Sequence, residues 1–136
     1  MKILIADSDT FQLKAYRDNT LKLFAFLHEC APKDAISIQY CSTGGELASL
    51  MDSSSCSFDL SIIDRALSGI PGDIIIELFH DRLGNIIICS SLNNIKELPY
   101  LQKPVDLDKL SELIKEVLHV TDKRPDTDLQ EYEIIA

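Results

Sequence analysis

The sequence predicts an α/β protein: a doubly wound sheet of five parallel strands with helices on both faces. Three observations predict it. Short, nearly continuous apolar runs recur along the chain, as strands buried on both faces require. Between them lie stretches with apolar residues three and four apart, the signature of amphipathic helices. The two patterns alternate, and alternation of strand and helix builds a parallel sheet. The chain has 136 residues, the length of one domain with room for one real core.

The first run, Lys2–Ala6 (KILIA), reads as a buried strand ending at an acidic cluster. Leu13, Tyr16, Leu23, Leu27 and Cys30 then recur at helical spacing, with Thr20 bridging the stripe. They predict one unusually long helix from about Thr10 to Ala31, closed by Pro32. Ile36, Ile38 and Tyr40 alternate with polar residues, so 35–41 is a strand. Leu47, Leu50 and Met51 predict a short helix after Gly44-Gly45, and Ser53–Ser55 a loop. Phe58–Ile63 is the third strand, ending at Asp64, and Ser68–Gly72 a turn. A helix over 73–83 follows, with Ile74, Ile75, Leu78 and Phe79 on one side and Gly84-Asn85 at its end. Ile86–Cys89 is a fourth strand and Tyr100–Lys103 a fifth. Asp106 caps a last helix over 107–120. These elements form one unit over 1–120, and 121–136 is expected to be an acidic tail or linker, with a short element around 132–135 as the alternative.

Composition narrows the function. Hydrophobic residues make up 46% and charged residues 26%, as in a globular chain. Thirteen Lys and Arg stand against 22 Asp and Glu, a net charge of −9. That balance argues against nucleic acid or an anionic membrane as the partner, since phosphate binding needs clustered cations. Asp7 and Asp9 interrupt the N-terminus before a secretory signal could form, and no apolar run is long enough to span a bilayer, so a cytoplasmic protein is expected. Cys30, Cys41, Cys56 and Cys89 lack CxxC spacing and read as buried reduced thiols, with a disulfide or zinc site as the alternative. His28, His80 and His119 lack metal-ligand spacing. No Gly-rich phosphate loop or Ser-His-Asp arrangement points to a free-standing enzyme.

Ligands of doubly wound sheets sit at the carboxyl ends of the strands. Those ends carry Asp7-Ser8-Asp9, Asp64, Ser90-Ser91 and Lys103-Pro104. Carboxylates from two strands make a hard-oxygen site of the kind Mg²⁺ uses. A lysine and a hydroxyl beside them could bind an anion's oxygens. Together these groups suit phosphoryl transfer to a carboxylate.

The ordered set KILIAD, FDLSIID with Gly72 eight residues after Asp64, IIICSS, and YLQKPVDL leading into an amphipathic helix resembles the response-regulator receiver domain, a CheY-like, flavodoxin-like fold, over about residues 1–120. The resemblance implies that Asp64 is the phosphoacceptor, that Asp7, Asp64 and the backbone carbonyl of Ala66 hold Mg²⁺, and that Ser90 and Lys103 contact the phosphoryl group. It implies a switching aromatic at Tyr100. It also implies a histidine kinase, phosphotransfer protein or small phosphodonor as the phosphoryl source, and an unknown downstream protein as the receiver of the signal.

Three features depart from the family pattern. Ser8 stands where a second acid is usual; Asp9, or Ser8 itself, is then a further metal-ligand candidate. In the turn after Asp64, Ser68 stands where proline is usual and Pro71 where an acid is usual, and Arg65 either projects to solvent or screens the acidic pocket. Only 12 residues separate Ser90 from Lys103, so the helix the family has there is expected to be shortened or absent. Two function classes stay open: a phosphorylatable receiver, or a pseudo-receiver that binds protein constitutively without regulated chemistry.

Overall fold

Strand β1 (Lys2–Ala6) is buried on both faces, and the other strands assemble around it. The computed structural model describes residues 1–53, 57–91 and 99–122. In chain order they form β1, α1 (Thr10–Asp18), α2 (Thr20–Cys30), β2 (Ser37–Cys41), α3 (Gly44–Asp52), β3 (Leu60–Asp64), α4 (Gly72–Leu83), β4 (Asn85–Ser90), β5 (Tyr100–Gln102) and α5 (Leu107–Asp122). The five strands pair in parallel in the order β2-β1-β3-β4-β5. The predicted architecture is therefore present. The order reverses direction between β1 and β3, where such sheets open a crevice for ligands.

Side chains alternate across a strand, and the core sorts accordingly. Ile3, Ile5, Leu60, Ile62, Ile87 and Cys89 face one layer, with Tyr16, Leu27, Leu110 and Ile114 from α1, α2 and α5. Leu4, Ala6 and Ile63 face the other, with Leu47, Met51, Ile75 and Leu83 from α3 and α4. Ser61 is buried among the aliphatics of β3, and its hydroxyl donates to the Leu83 carbonyl at 2.7 Å. A hydroxyl satisfied in this way avoids the cost of an unpaired buried polar group.

The single long helix expected over 10–31 is two helices that meet at Asn19 (φ −109°, ψ 20°). Local side chains explain the break. The Asn19 amide donates to the Ala15 carbonyl at 2.8 Å, and the Thr20 hydroxyl donates to the Tyr16 carbonyl at 3.3 Å. Such back-bonding competes with the helical ladder and bends it. Thr20 is the residue that bridges the apolar stripe in the sequence, so the same position that sustains the pattern also interrupts the helix.

The predicted apolar side of α4 also differs. Ile75, Phe79 and Leu83, four residues apart, pack into the core. Ile74 and Leu78 lie outward at 43% and 61% exposure. Phe79 (φ −126°, ψ 18°) departs from helical geometry and divides α4 in two. Helix α5 runs to Asp122 rather than ending at 120. The expected reduction of the helix between Ser90 and Lys103 falls on residues 92–98, and the expected tail falls mostly on 123–136; both lie outside the described residues, as does Cys56. Cys30, Cys41 and Cys89 are unbridged thiols. Among the described residues no helix is long and apolar enough to cross a membrane.

Gly84 takes φ +68° and ψ −141° after α4, a positive-φ extended conformation that glycine alone adopts without strain. Gly72 has a different reason. A Cβ there would collide with the Asp64 carbonyl and lie 3.0 Å from the Arg65 Cα. Helix α4 starts hard against the end of β3, and only a residue without a side chain fits. Gly72→Ala should lower stability by about 1–3 kcal/mol, the cost of overpacking, read as a lower urea midpoint.

Candidate functional site

Parity and register bring the chemistry together. Ala6 pairs with Ile63, so Asp7 follows β1 where Asp64 ends β3. Asp64 pairs with Cys89, and Cys89 with Leu101, two residues before Lys103. Counting in twos from Ile3 and Leu60 places Asp7 and Asp64 on the face covered by α1, α2 and α5. Both carboxylates lie at the carboxyl edge of the sheet, and both are almost fully buried, Asp7 at 1% and Asp64 at 4% exposure. Beneath them Tyr16 and Cys89 form a buried floor, Oη to Sγ 3.8 Å. Burial pushes the Cys89 thiol up to about 12, so this floor is uncharged.

The Lys103 ammonium reaches between the two acids. Its Nζ donates to Asp7 Oδ1 at 2.8 Å and to Asp64 Oδ2 at 3.1 Å. Backbone donors complete the cradle. Asp7 Oδ1 accepts the Asp9 N–H at 2.8 Å. Asp64 Oδ1 accepts the Ala66 N–H at 2.9 Å, and Asp64 Oδ2 the Ser8 N–H at 3.4 Å. Lys103 is held by its own N–H, which donates to the Ser90 carbonyl at 2.8 Å, and its bond to Pro104 is cis. Ser90 is buried at the end of β4, one residue past the partner of Asp64. The sequence-predicted Asp7, Asp64 and Lys103 are thus in direct contact, and Ser90 lies at the same carboxyl edge of the sheet, touching Lys103 through its backbone.

The remaining predicted residues have other engagements. Asp9 caps α1, its Oδ1 accepting the N–H groups of Phe11 and Gln12 at 3.0 and 3.3 Å. The Ser8 hydroxyl donates to the Ser42 carbonyl at 2.7 Å and accepts the Ser68 N–H at 2.8 Å. Ser8 therefore ties together the loops after β1, β2 and β3. Arg65 points away from the pocket and pairs with Asp73 at 2.9 Å on the surface, the solvent-facing alternative. Tyr100 is half-buried opposite Ile88, and its hydroxyl is buried with no hydrogen-bond partner among the described residues. Gln12 is a participant that sequence reasoning passes over. It is 6% exposed, and its Oε1 accepts the Val105 N–H at 2.9 Å. A lone glutamine on the buried stripe of α1 is the signal that could have found it.

The electrostatics are unequal: two carboxylates face one ammonium. Burial raises the Asp7 carboxyl from 3.8 to about 6, against the opposing hydrogen bonds of Lys103 and Asp9, and the Asp64 charge adds to the rise. Burial pulls the Lys103 ammonium down, but its hydrogen bonds to Asp7 and Asp64 outweigh this and hold it above its ordinary value. Between about pH 4 and pH 6 the folded chain holds more Asp7 protons than the unfolded chain. Stability from this group is present at the acid end of that window and is lost as pH rises through it. In EDTA at pH 8, Asp7→Asn should therefore be more stable than the natural chain by about 1–3 kcal/mol. The difference should vanish near pH 4, as read by denaturant unfolding at both pH values.

No family model and no curated protein sequence matches this chain. Solved structures do. A CheY-like response regulator receiver domain protein from Methanospirillum hungatei JF-1 superposes with a TM-score of 0.65 at 24% identity, over 90% of this chain and 96% of that one. The receiver domain of the hybrid histidine kinase CckA gives 0.63 at 20% identity, over 87% and 99%. The Francisella response regulator 1452 receiver domain gives 0.57 at 21%, over 88% and 98%. At these identities the likeness speaks for architecture, and this chain has the fold of the response-regulator receiver domains.

Proposed function

We propose that this chain is a phospho-accepting receiver of two-component signalling, with Asp64 as the acceptor. One observation carries the reading: a single lysine bridges two nearly buried carboxylates from adjacent strands, at the edge where this fold places its ligands. As a purely structural device the arrangement is poor, because two buried acids against one base leave an excess negative charge.

The chemistry follows from the groups present. An Asp64 oxygen attacks the phosphorus of a phosphohistidine or acyl phosphate. The bond from phosphorus to the donor breaks, its electron pair leaves with the donor, and an aspartyl phosphate remains. Hydrolysis returns the carboxylate and inorganic phosphate. The protein's part is to position and to offset charge, which is most of the catalysis in phosphoryl transfer. Lys103 already donates to Asp64 and can turn to a phosphoryl oxygen. Ser90 offers a hydroxyl from the next strand. Tyr100, whose hydroxyl has no partner among the described residues, is the aromatic whose position would report the change to a downstream protein. Catalysis beyond this self-directed transfer is not part of the reading, and a cytoplasmic histidine kinase or phosphotransfer protein is the donor it calls for.

Mg²⁺ fits the site's chemistry. The donors this reading calls for are hard oxygens, Asp7, Asp64 and the Ala66 carbonyl, and the excess negative charge and the raised Asp7 carboxyl are what a divalent cation would relieve. Among the described residues no three His, Cys, Asp or Glu side chains gather into a cage, so water would fill most of the shell. When bound, the ion would neutralise charge on the phosphoryl oxygens.

A second reading, the pseudo-receiver, is favoured by Ser8, whose hydroxyl is committed to loop contacts where the family has a second acid. Acetyl phosphate or beryllofluoride separates the two. With millimolar Mg²⁺ either should shift the amide spectrum of residues around Asp64. Asp64→Asn should abolish the response, and EDTA should do the same. An unchanged spectrum at saturating donor and Mg²⁺ would leave the pseudo-receiver.

A further inference from the structure

Lys103 has to be aimed, and the strand that precedes it is a weak support. Strand β5 has three residues and, among the described residues, pairs with β4 alone. On its N-terminal side the Lys103 backbone is fastened to the Ser90 carbonyl at 2.8 Å. On its C-terminal side the next backbone donor belongs to Val105, because Pro104 has no N–H. That donor goes to Gln12 Oε1 at 2.9 Å, a contact spanning 93 residues of sequence. Gln12 is 6% exposed and stands on the first turn of α1, where its own N–H is held by the Asp9 cap at 3.3 Å. The Asp9 backbone in turn donates to Asp7 Oδ1, the same oxygen that receives Lys103. A closed ring therefore runs from Asp7 through Asp9, Gln12, Val105 and Lys103 back to Asp7.

We infer that Gln12 is a positioning residue for Lys103: it pins the backbone beyond the lysine to α1, so that the ammonium meets Asp7 and Asp64 together. The inference rests on the phospho-acceptor reading above. Its bland competitor is that Gln12 merely satisfies one backbone N–H. The two differ in what they say of Lys103. A positioning residue acts through the lysine and has nothing left to position once the lysine is gone. A structural residue costs the same with or without it.

The test is a double-mutant cycle on the full chain, with acetyl phosphate and Mg²⁺ as donor and cofactor and the aspartyl phosphate formed as the readout. Gln12→Met keeps the length and removes the acceptor. In the natural background it should slow phosphorylation on the order of tenfold, as small misplacements of a reacting group do. In a Lys103→Ala background it should change the rate less than about twofold. If Gln12→Met does not fold, Gln12→Asn carries the same comparison, since it withdraws the amide by one methylene. An equal loss in both backgrounds, or no loss in the natural one, overturns the role of Gln12 while leaving the receiver reading in place. A natural chain that never forms an aspartyl phosphate overturns both.

Discussion

The Lys103 ammonium between Asp7 and Asp64 is the contact on which the rest of the molecule depends. Two carboxylates almost removed from water repel one another and lose their hydration, and one lysine can offset only part of that cost. The fold supplies the remainder as fixed dipoles: the N–H groups of Ser8, Asp9 and Ala66 all point at carboxylate oxygens. The arrangement leaves an excess of negative charge, and a cation or a phosphoryl group placed beside it would change its balance.

Much of this was legible in the sequence because a parallel sheet leaves little freedom. The apolar runs KILIA, LSII and IIIC must lie in register to bury both faces, and once they do, Asp7 and Asp64 are neighbours. The Pro after Lys103 marks the fifth strand end. What the sequence did not disclose are choices made by single polar side chains. Asn19 and Thr20 divide a helix that periodicity reads as continuous, because their bonds to Ala15 and Tyr16 compete locally with a pattern averaged over many residues. The core takes the Ile75–Phe79–Leu83 row and leaves Ile74 and Leu78 outside, although all five are equally apolar in a hydropathy count. Gln12 is silent for the same reason: its meaning depends on a backbone N–H at Val105 that lies at the far end of the chain. Asp9, read as a ligand candidate, also has a nearer role the sequence reading did not name, capping the start of α1 through Oδ1.

The likeness in shape to receiver domains is carried by the sheet and its helices, whereas the chemistry is carried by a handful of side chains at one edge. The two can part company, since a sheet keeps its shape when a side chain at its edge is exchanged. Here Asp7, Asp64 and Lys103 are in direct contact, and Ser90 ends the neighbouring strand.

Ser8 has a consequence for any attempt to set a second acid beside Asp7. A hydroxyl gives one proton and takes another; Ser8 gives to the Ser42 carbonyl and takes from the Ser68 N–H. An ionised carboxylate takes only. Aspartate at this position could keep the contact to Ser68, yet it would set an anionic oxygen against the Ser42 carbonyl with no hydrogen between them. A second acid therefore cannot be placed beside Asp7 by one substitution at position 8 without opening the seam between the loops after β1, β2 and β3.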